Sequence, residues 1–264
     1  MGRLEYKLAI VTGCTSDFGA SAATALAGDG ATVLLTDTND AAGETLAASL
    51  RASGLKAEYH RLDTSDAMGW AKLADQIMRT HGHLDVLVNI AGAYISATIE
   101  DATAQQLRDI LEADLIGPFL GLKAVIPAMR QSGGGGIINI VANPIVAVLP
   151  LAALYSTAKA GLAGLTKSTA MHCTQRGYDI RVNNVHPGAH ETEVLTAKTI
   201  RSTTAAELHP LLNTLPLRPE GQEQNFAEAI AFLASDEARD ITGADIFTRG
   251  PLTGLTFTPA PGGL

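Results

Sequence analysis

Cysteine is scarce: Cys14 and Cys173 are the two in the chain, and two give no disulfide framework. Free thiols of this kind fit a reducing compartment. Basic side chains are also short, with 19 Lys and Arg against 27 Asp and Glu and a net charge of −8. That balance opposes binding to nucleic acid or to an anionic membrane surface. No apolar run approaches the ~18 residues that read as a membrane-spanning helix. The stretch Met1 to Lys7 lacks the apolar core of a signal segment. A cytoplasmic protein is expected. No repeat, linker or composition break divides the 264 residues.

What is present is ample apolar material. Hydrophobic residues make up 46% of the chain and charged residues 17%, enough for a large core and too apolar for disorder. Short apolar runs alternate with longer helical patterns. Strands are expected at 8–11, 32–35, 57–62, 84–88, 137–141, 180–185 and 244–247. Helices are expected at 18–30, 41–53, 67–80, 104–129 with a bend at Pro118, 155–175 and 222–234. The glycine-rich run Ser132 to Gly136 reads as a loop. Near-continuous apolar strands alternating with helices predict a single-domain α/β fold, a doubly wound parallel sheet with helices on both faces. The domain is expected over 1–250, with a helical lid at about 190–215 and a Gly/Pro-rich tail over 251–264.

Two regions carry chemistry. The first strand runs into Thr12-Gly13-Cys14-Thr15-Ser16-Asp17-Phe18-Gly19-Ala20 and then a helix. Glycines let the backbone approach a pyrophosphate, and the helix N-terminus favours the anion. Asp37 ends the second strand, 24 residues beyond Gly13. A carboxylate there suits ribose hydroxyls and repels a 2′-phosphate, which favours NAD over NADP. Tyr155 and Lys159 stand four residues apart, on one helix face. A neighbouring ammonium favours the phenolate and makes the tyrosine a usable proton donor or acceptor. Thirteen residues before Tyr155 stands Ala142. His81 and His83 read as surface loop residues without a third metal ligand. Cys14 reads as an inert small residue and Trp70 as helix packing.

Across nearly its full length the chain resembles the short-chain dehydrogenases/reductases. The likeness rests on Thr12-Gly13 with Gly19, Asp37, Asp63, Asn89-Ile90-Ala91-Gly92, Tyr155 with Lys159, and Pro187-Gly188 with Thr192. It continues through Phe232-Leu233-Ala234-Ser235-Asp236 and Ile241-Thr242-Gly243. The resemblance implies a Rossmann-type fold binding a nicotinamide dinucleotide. It places Gly13, Thr15, Ser16, Asp17, Phe18 and Gly19 at the phosphates, Asp37 at the adenosine ribose and Asp63 with Thr64 at the adenine. Asn89, Ala91 and Gly92 go by the neighbouring ribose, and Pro187, Gly188, His190 and Thr192 by the nicotinamide. It implies a homo-oligomer, a dimer or tetramer, built through the 104–129 and 155–175 helices and the last strand.

Three positions depart from the family. Asp17 stands where a glycine is usual and is able to cap the helix with its own carboxylate. Charged at ~5 Å from one phosphate charge, with an effective dielectric of ~20, it costs ~3 kcal/mol of binding. Ala142 stands where a serine hydroxyl would orient the substrate carbonyl, and losing one such donor costs ~10²–10³ in turnover. Asn143 and His190 are the candidate replacements. Asp114 stands for an asparagine; its charge either pairs with Lys159 or serves as an extra acid/base group. The expected function is interconversion of a secondary alcohol and a ketone by an NAD-dependent oxidoreductase, with Tyr155, Lys159, Asp114 and Asn143 catalytic. The rivals are redox-independent chemistry (dehydratase, isomerase or cyclase) and a non-catalytic binding role on the same scaffold.

Overall fold

The computed structural model describes residues 2–95, 97–141, 152–187 and 222–248. Seven strands form one sheet: β1 (Leu8–Thr12), β2 (Thr32–Asp37), β3 (Lys56–Arg61), β4 (Val86–Asn89), β5 (Gly135–Ile140), β6 (Ile180–His186) and β7 (Asp245–Phe247). Their spatial order is β3-β2-β1-β4-β5-β6-β7, and every pairing is parallel. The order reverses at β1, whose neighbours are β2 and β4, so a crevice opens at the carboxyl ends of β1 and β4.

The helices are α1 (Asp17–Gly28), α2 (Asp40–Ala52), α3 (Ala67–Thr80), α4 (Ala104–Leu111), α5 (Gly117–Gln131), α6 (Ala153–Gln175) and α7 (Gln222–Ala234). Alternate strand residues feed two cores, as the period of a pleated strand requires. Val11, Val33, Leu35, Val88 and Ile138 pack on the α1 and α7 side. Ile10, Leu34, Leu87, Ile137 and Val182 pack on the α3, α5 and α6 side. Trp70 of α3 is buried there, with its indole N–H donating to the Thr64 carbonyl at 2.9 Å. A Cβ on Gly121 of α5 would meet its ring at 2.9 Å, so glycine lets the two helices close.

Two expectations need correction. β5 begins at Gly135, inside the run read as a loop. A Cβ on Gly135 would lie 2.7 Å from the Asp85 carbonyl oxygen and 2.8 Å from the Met129 sulfur. The strand accepts glycine because its neighbours come too close for any side chain, and local propensity does not register that. The 104–129 segment is helical throughout, as expected, but it is not a uniform α-helix. α4 ends at Leu111, and a single wide turn over Glu112–Ile116 follows, in which the Gly117 N–H donates five residues back to the Glu112 carbonyl. Pro118 explains it. Proline has no N–H for the carbonyl four residues back, that of Asp114, and its ring crowds the same group. The distortion therefore lands on Asp114. No helix among the described residues is long and apolar enough to cross a membrane. The expected lid at 190–215 and tail at 251–264 lie outside the described residues.

Candidate active site

The glycine turn between β1 and α1 is held from two sides. Ser16 caps α1: its Oγ accepts from the Gly19 N–H at 3.0 Å and donates to the Gly13 carbonyl at 2.9 Å. Asp17 is therefore not the cap; it is the exposed first residue of the helix, where a negative charge is favourable. Gly13 sits at φ 64°, and a Cβ there would meet the Ala91 backbone at 2.7 Å. A Cβ on Gly19 would strike the Gly13 carbonyl oxygen at 2.1 Å. Phe18 turns away from the turn and meets Phe226 of α7 edge-to-face at 4.6 Å. Burial pushes the Cys14 thiol up to about 12, with the Asp37 charge adding to it, so the thiol is inert at neutral pH.

Asp37 is drawn into this turn. Its Oδ2 accepts from the Thr15 N–H at 3.1 Å and the Thr15 hydroxyl at 2.8 Å. Its Oδ1 accepts from the Thr38 and Asn39 N–H groups at 2.8 and 3.1 Å. At the end of β3, Asp63 accepts from the Ser65 hydroxyl and N–H, which hold its carboxyl below the usual range. A Cβ on Gly117 would meet Thr64 Oγ1 at 2.8 Å.

At the end of β4, Thr12 Oγ1 accepts from the N–H groups of Ile90 and Ala91 at 3.0 and 3.1 Å. This ties the Asn89–Gly92 loop to the glycine turn. Asn89 is buried, and its amide donates to Asn139 Oδ1 of β5 at 2.8 Å. Asn139 donates in turn to Thr166 of α6 at 2.8 Å. The Asn89 amide expected by a ribose thus joins three elements of the core.

Asp114 is the junction of the site and is fully buried. Its Oδ1 stands 2.7 Å from Lys159 Nζ, and its Oδ2 accepts the Ala93 N–H at 2.8 Å. Lys159 also donates to the Ile140 carbonyl at 3.2 Å. A Cβ on Gly92 would lie 2.5 Å from Asp114 Oδ1 and 3.4 Å from Lys159 Nζ, so the ion pair needs glycine there. One turn up α6, the Tyr155 ring centroid is 5.5 Å from Lys159 Nζ. Tyr94, which no motif or spacing marks, meets the Tyr155 ring edge-to-face at 5.3 Å. Pro187 follows β6, beyond His186. Ala142, Asn143, Gly188, His190 and Thr192 lie outside the described residues. His81 and His83 serve the fold: the two ring nitrogens of His83 lie 3.0 and 3.2 Å from the His81 and Tyr6 carbonyl oxygens, which accept from whichever carries the proton, and His81 Nε2 faces Glu58 at 3.7 Å.

A turn with glycine at both ends leading into a helix N-terminus, a carboxylate at the end of the next strand and a Tyr–Lys pair across the switch point fit a nicotinamide dinucleotide. Gly13 is needed because the Ala91 backbone comes too close for a side chain, which keeps the turn tight against the Asn89–Gly92 loop. The fold and site define a dinucleotide-binding oxidoreductase of the doubly wound class. A family model described as Enoyl-(Acyl carrier protein) reductase matches residues 13–253. The chain is 35% identical to trans-4-hydroxycyclohexanecarboxylate dehydrogenase of Sinomonas cyclohexanicum, over 94% of this chain and 93% of that one. It is 32% identical to the NADP-dependent (R)-specific alcohol dehydrogenase of Lentilactobacillus kefiri, over 95% and 98%. A crystal structure of a Burkholderia xenovorans protein assigned to the short-chain dehydrogenases/reductases superposes with a TM-score of 0.85 at 30% identity, covering 94% and 96%. The chain belongs to the short-chain dehydrogenase/reductase family, whose enzymes use nicotinamide cofactors.

Proposed function

We propose that this enzyme interconverts a secondary alcohol and a ketone with NAD. The observation that carries the reading is the pairing of Tyr155 with Lys159 on α6, the ammonium 5.5 Å from the phenol ring. When bound, the nicotinamide exchanges a hydride with the substrate carbon. Tyr155 gives its phenolic proton to the carbonyl oxygen in reduction and takes it back in oxidation. Lys159 favours the phenolate and binds the nicotinamide ribose. Asp114 fixes the ammonium in place and cancels part of its charge.

The Sinomonas relative acts on a ring-bound alcohol by name, so 4-hydroxycyclohexanecarboxylate is a rational first substrate. NAD is favoured by Asp37, whose charge repels a 2′-phosphate, although the kefiri relative is NADP-dependent by name. Exposed Ile116, Phe119 and Met171, on and beside α5 and α6, support the homo-oligomer reading.

The test is a titration with NADH and NADPH by nicotinamide fluorescence, followed by turnover of cyclic alcohols. NADH should bind much more tightly than NADPH, and Tyr155→Phe should keep NADH binding and lose turnover. Full turnover by Tyr155→Phe sinks the assignment. Turnover that persists after the dinucleotide is stripped points to redox-neutral chemistry instead.

A further inference from the structure

We infer that Tyr94 supplies the hydroxyl that Ala142 lacks, donating a hydrogen bond to the substrate oxygen on which Tyr155 acts; this rests on the oxidoreductase reading above.

The chain presents Tyr94 from a fixed segment. Immediately before it, the Ala93 N–H is held by Asp114 Oδ2 at 2.8 Å. Three residues beyond it, Ala97 bridges to Ala152, at the start of α6. Ala97 and Leu154 are buried in one small cluster with Ile110 and Ala158, against which Ile95 and Tyr155 pack. Anchors on both sides of Tyr94 therefore fix it relative to α6. Its ring meets that of Tyr155 at 5.3 Å and 66°, inside the range of a stable edge-to-face pair. Tyr94 lies in the loop that leaves the carboxyl end of β4, at the switch point where ligands bind in such sheets.

The chemistry needs a second donor. In reduction a bound reduced dinucleotide would supply the hydride: its C–H bond would break as a C–H bond forms at the carbonyl carbon, and the carbonyl π pair would move to oxygen. An O–H bond forms with the proton of Tyr155, and charge gathers on that oxygen meanwhile. A second fixed donor stabilises it and gives up no proton. Alanine at position 142 has no hydrogen to offer. Among the described residues, Tyr94 is the phenol in ring contact with Tyr155.

Tyr94→Phe keeps the ring and removes the donor. The variant should lose about a hundred-fold in kcat, with KM and NADH affinity within about two-fold of wild type. Adding Ala142→Ser to Tyr94→Phe should restore at least about ten-fold of the loss. A rate retained in Tyr94→Phe overturns the inference and turns attention to Asn143 or His190. So does a change confined to KM, which is lost packing alone, or a kcat loss that Ala142→Ser leaves untouched. Tyr155→Phe run in parallel separates the two claims. If it is inactive while Tyr94→Phe is fully active, the oxidoreductase reading stands and only the role of Tyr94 falls. Absence of turnover in the wild type across ring and open-chain alcohols defeats both.

Discussion

Lys159 Nζ and Asp114 Oδ1 lie 2.7 Å apart with both side chains buried. An unpaired ammonium beside Tyr155 would lower the phenol's pKa, and the carboxylate opposes that effect. On the proposed function, oxidation of an alcohol uses Tyr155 as the phenolate, so its acid limb reports the tyrosine's titration. Asp114→Asn keeps an acceptor for the Ala93 N–H and removes the cancelling charge. The acid limb should therefore move to lower pH, followed as kcat against pH. An unmoved limb means the pair does not govern Tyr155.

Gly92→Ala tests how tightly the same junction is built. The added Cβ would sit 2.5 Å from Asp114 Oδ1. That oxygen cannot swing aside, because Lys159 holds it and the Ala93 N–H holds its partner oxygen. Overpacking of this kind costs about 1–3 kcal/mol. The thermal midpoint should fall, and activity should fall beyond what the loss of folded protein explains. A variant with the wild-type midpoint and rate would show that the junction yields easily.

Asp37→Ser addresses cofactor choice. The carboxylate ends β2 beside Thr15 and the N–H groups of Thr38 and Asn39. Serine keeps one acceptor and removes the charge that repels a 2′-phosphate. The ratio of NADPH to NADH affinity should rise by about ten- to a hundred-fold. An unchanged ratio in a fluorescence titration would mean that Asp37 does not set the choice of cofactor.

Much of the fold was legible because its strands are dense apolar runs between polar or glycine turns. All seven strands fall within two residues of the expected ends. The glycines opening β5 hid only its first two residues, because their reason is the nearness of Asp85 and Met129, which no local pattern carries. Pro118 announced a bend, yet its effect appears four residues earlier, as the wide turn that holds Asp114. Tyr155 with Lys159 was readable from spacing, since both lie on one helix. The Lys159–Asp114 pair spans 45 residues of sequence and stood as one of two alternatives until the fold joined α6 to that turn. The helix cap fell to Ser16 rather than Asp17, neighbours that both carry a capping oxygen, so composition could not choose between them. Tyr94 follows no spacing rule and entered only through its contact with Tyr155.

The edge strand β7 has its own pH signature. Asp245 accepts from Asn184 at 2.8 Å and faces His186 at 3.1 Å and Lys167. One carboxylate thus fastens β7 to β6 and α6. Burial raises its pKa, but the hydrogen bonds from Lys167, Asn184 and His186 outweigh that and hold the carboxyl below its usual range. A carboxylate whose folded pKa is depressed adds stability above the unfolded value of about 3.9, and that stability is lost as pH falls through the folded pKa. Asp245→Asn should therefore be less stable than wild type near pH 7 by urea denaturation, with the gap closing as pH drops below about 4. A gap that stays constant down to pH ~3 would mean that the shape of the side chain, and not its charge, fastens the strand.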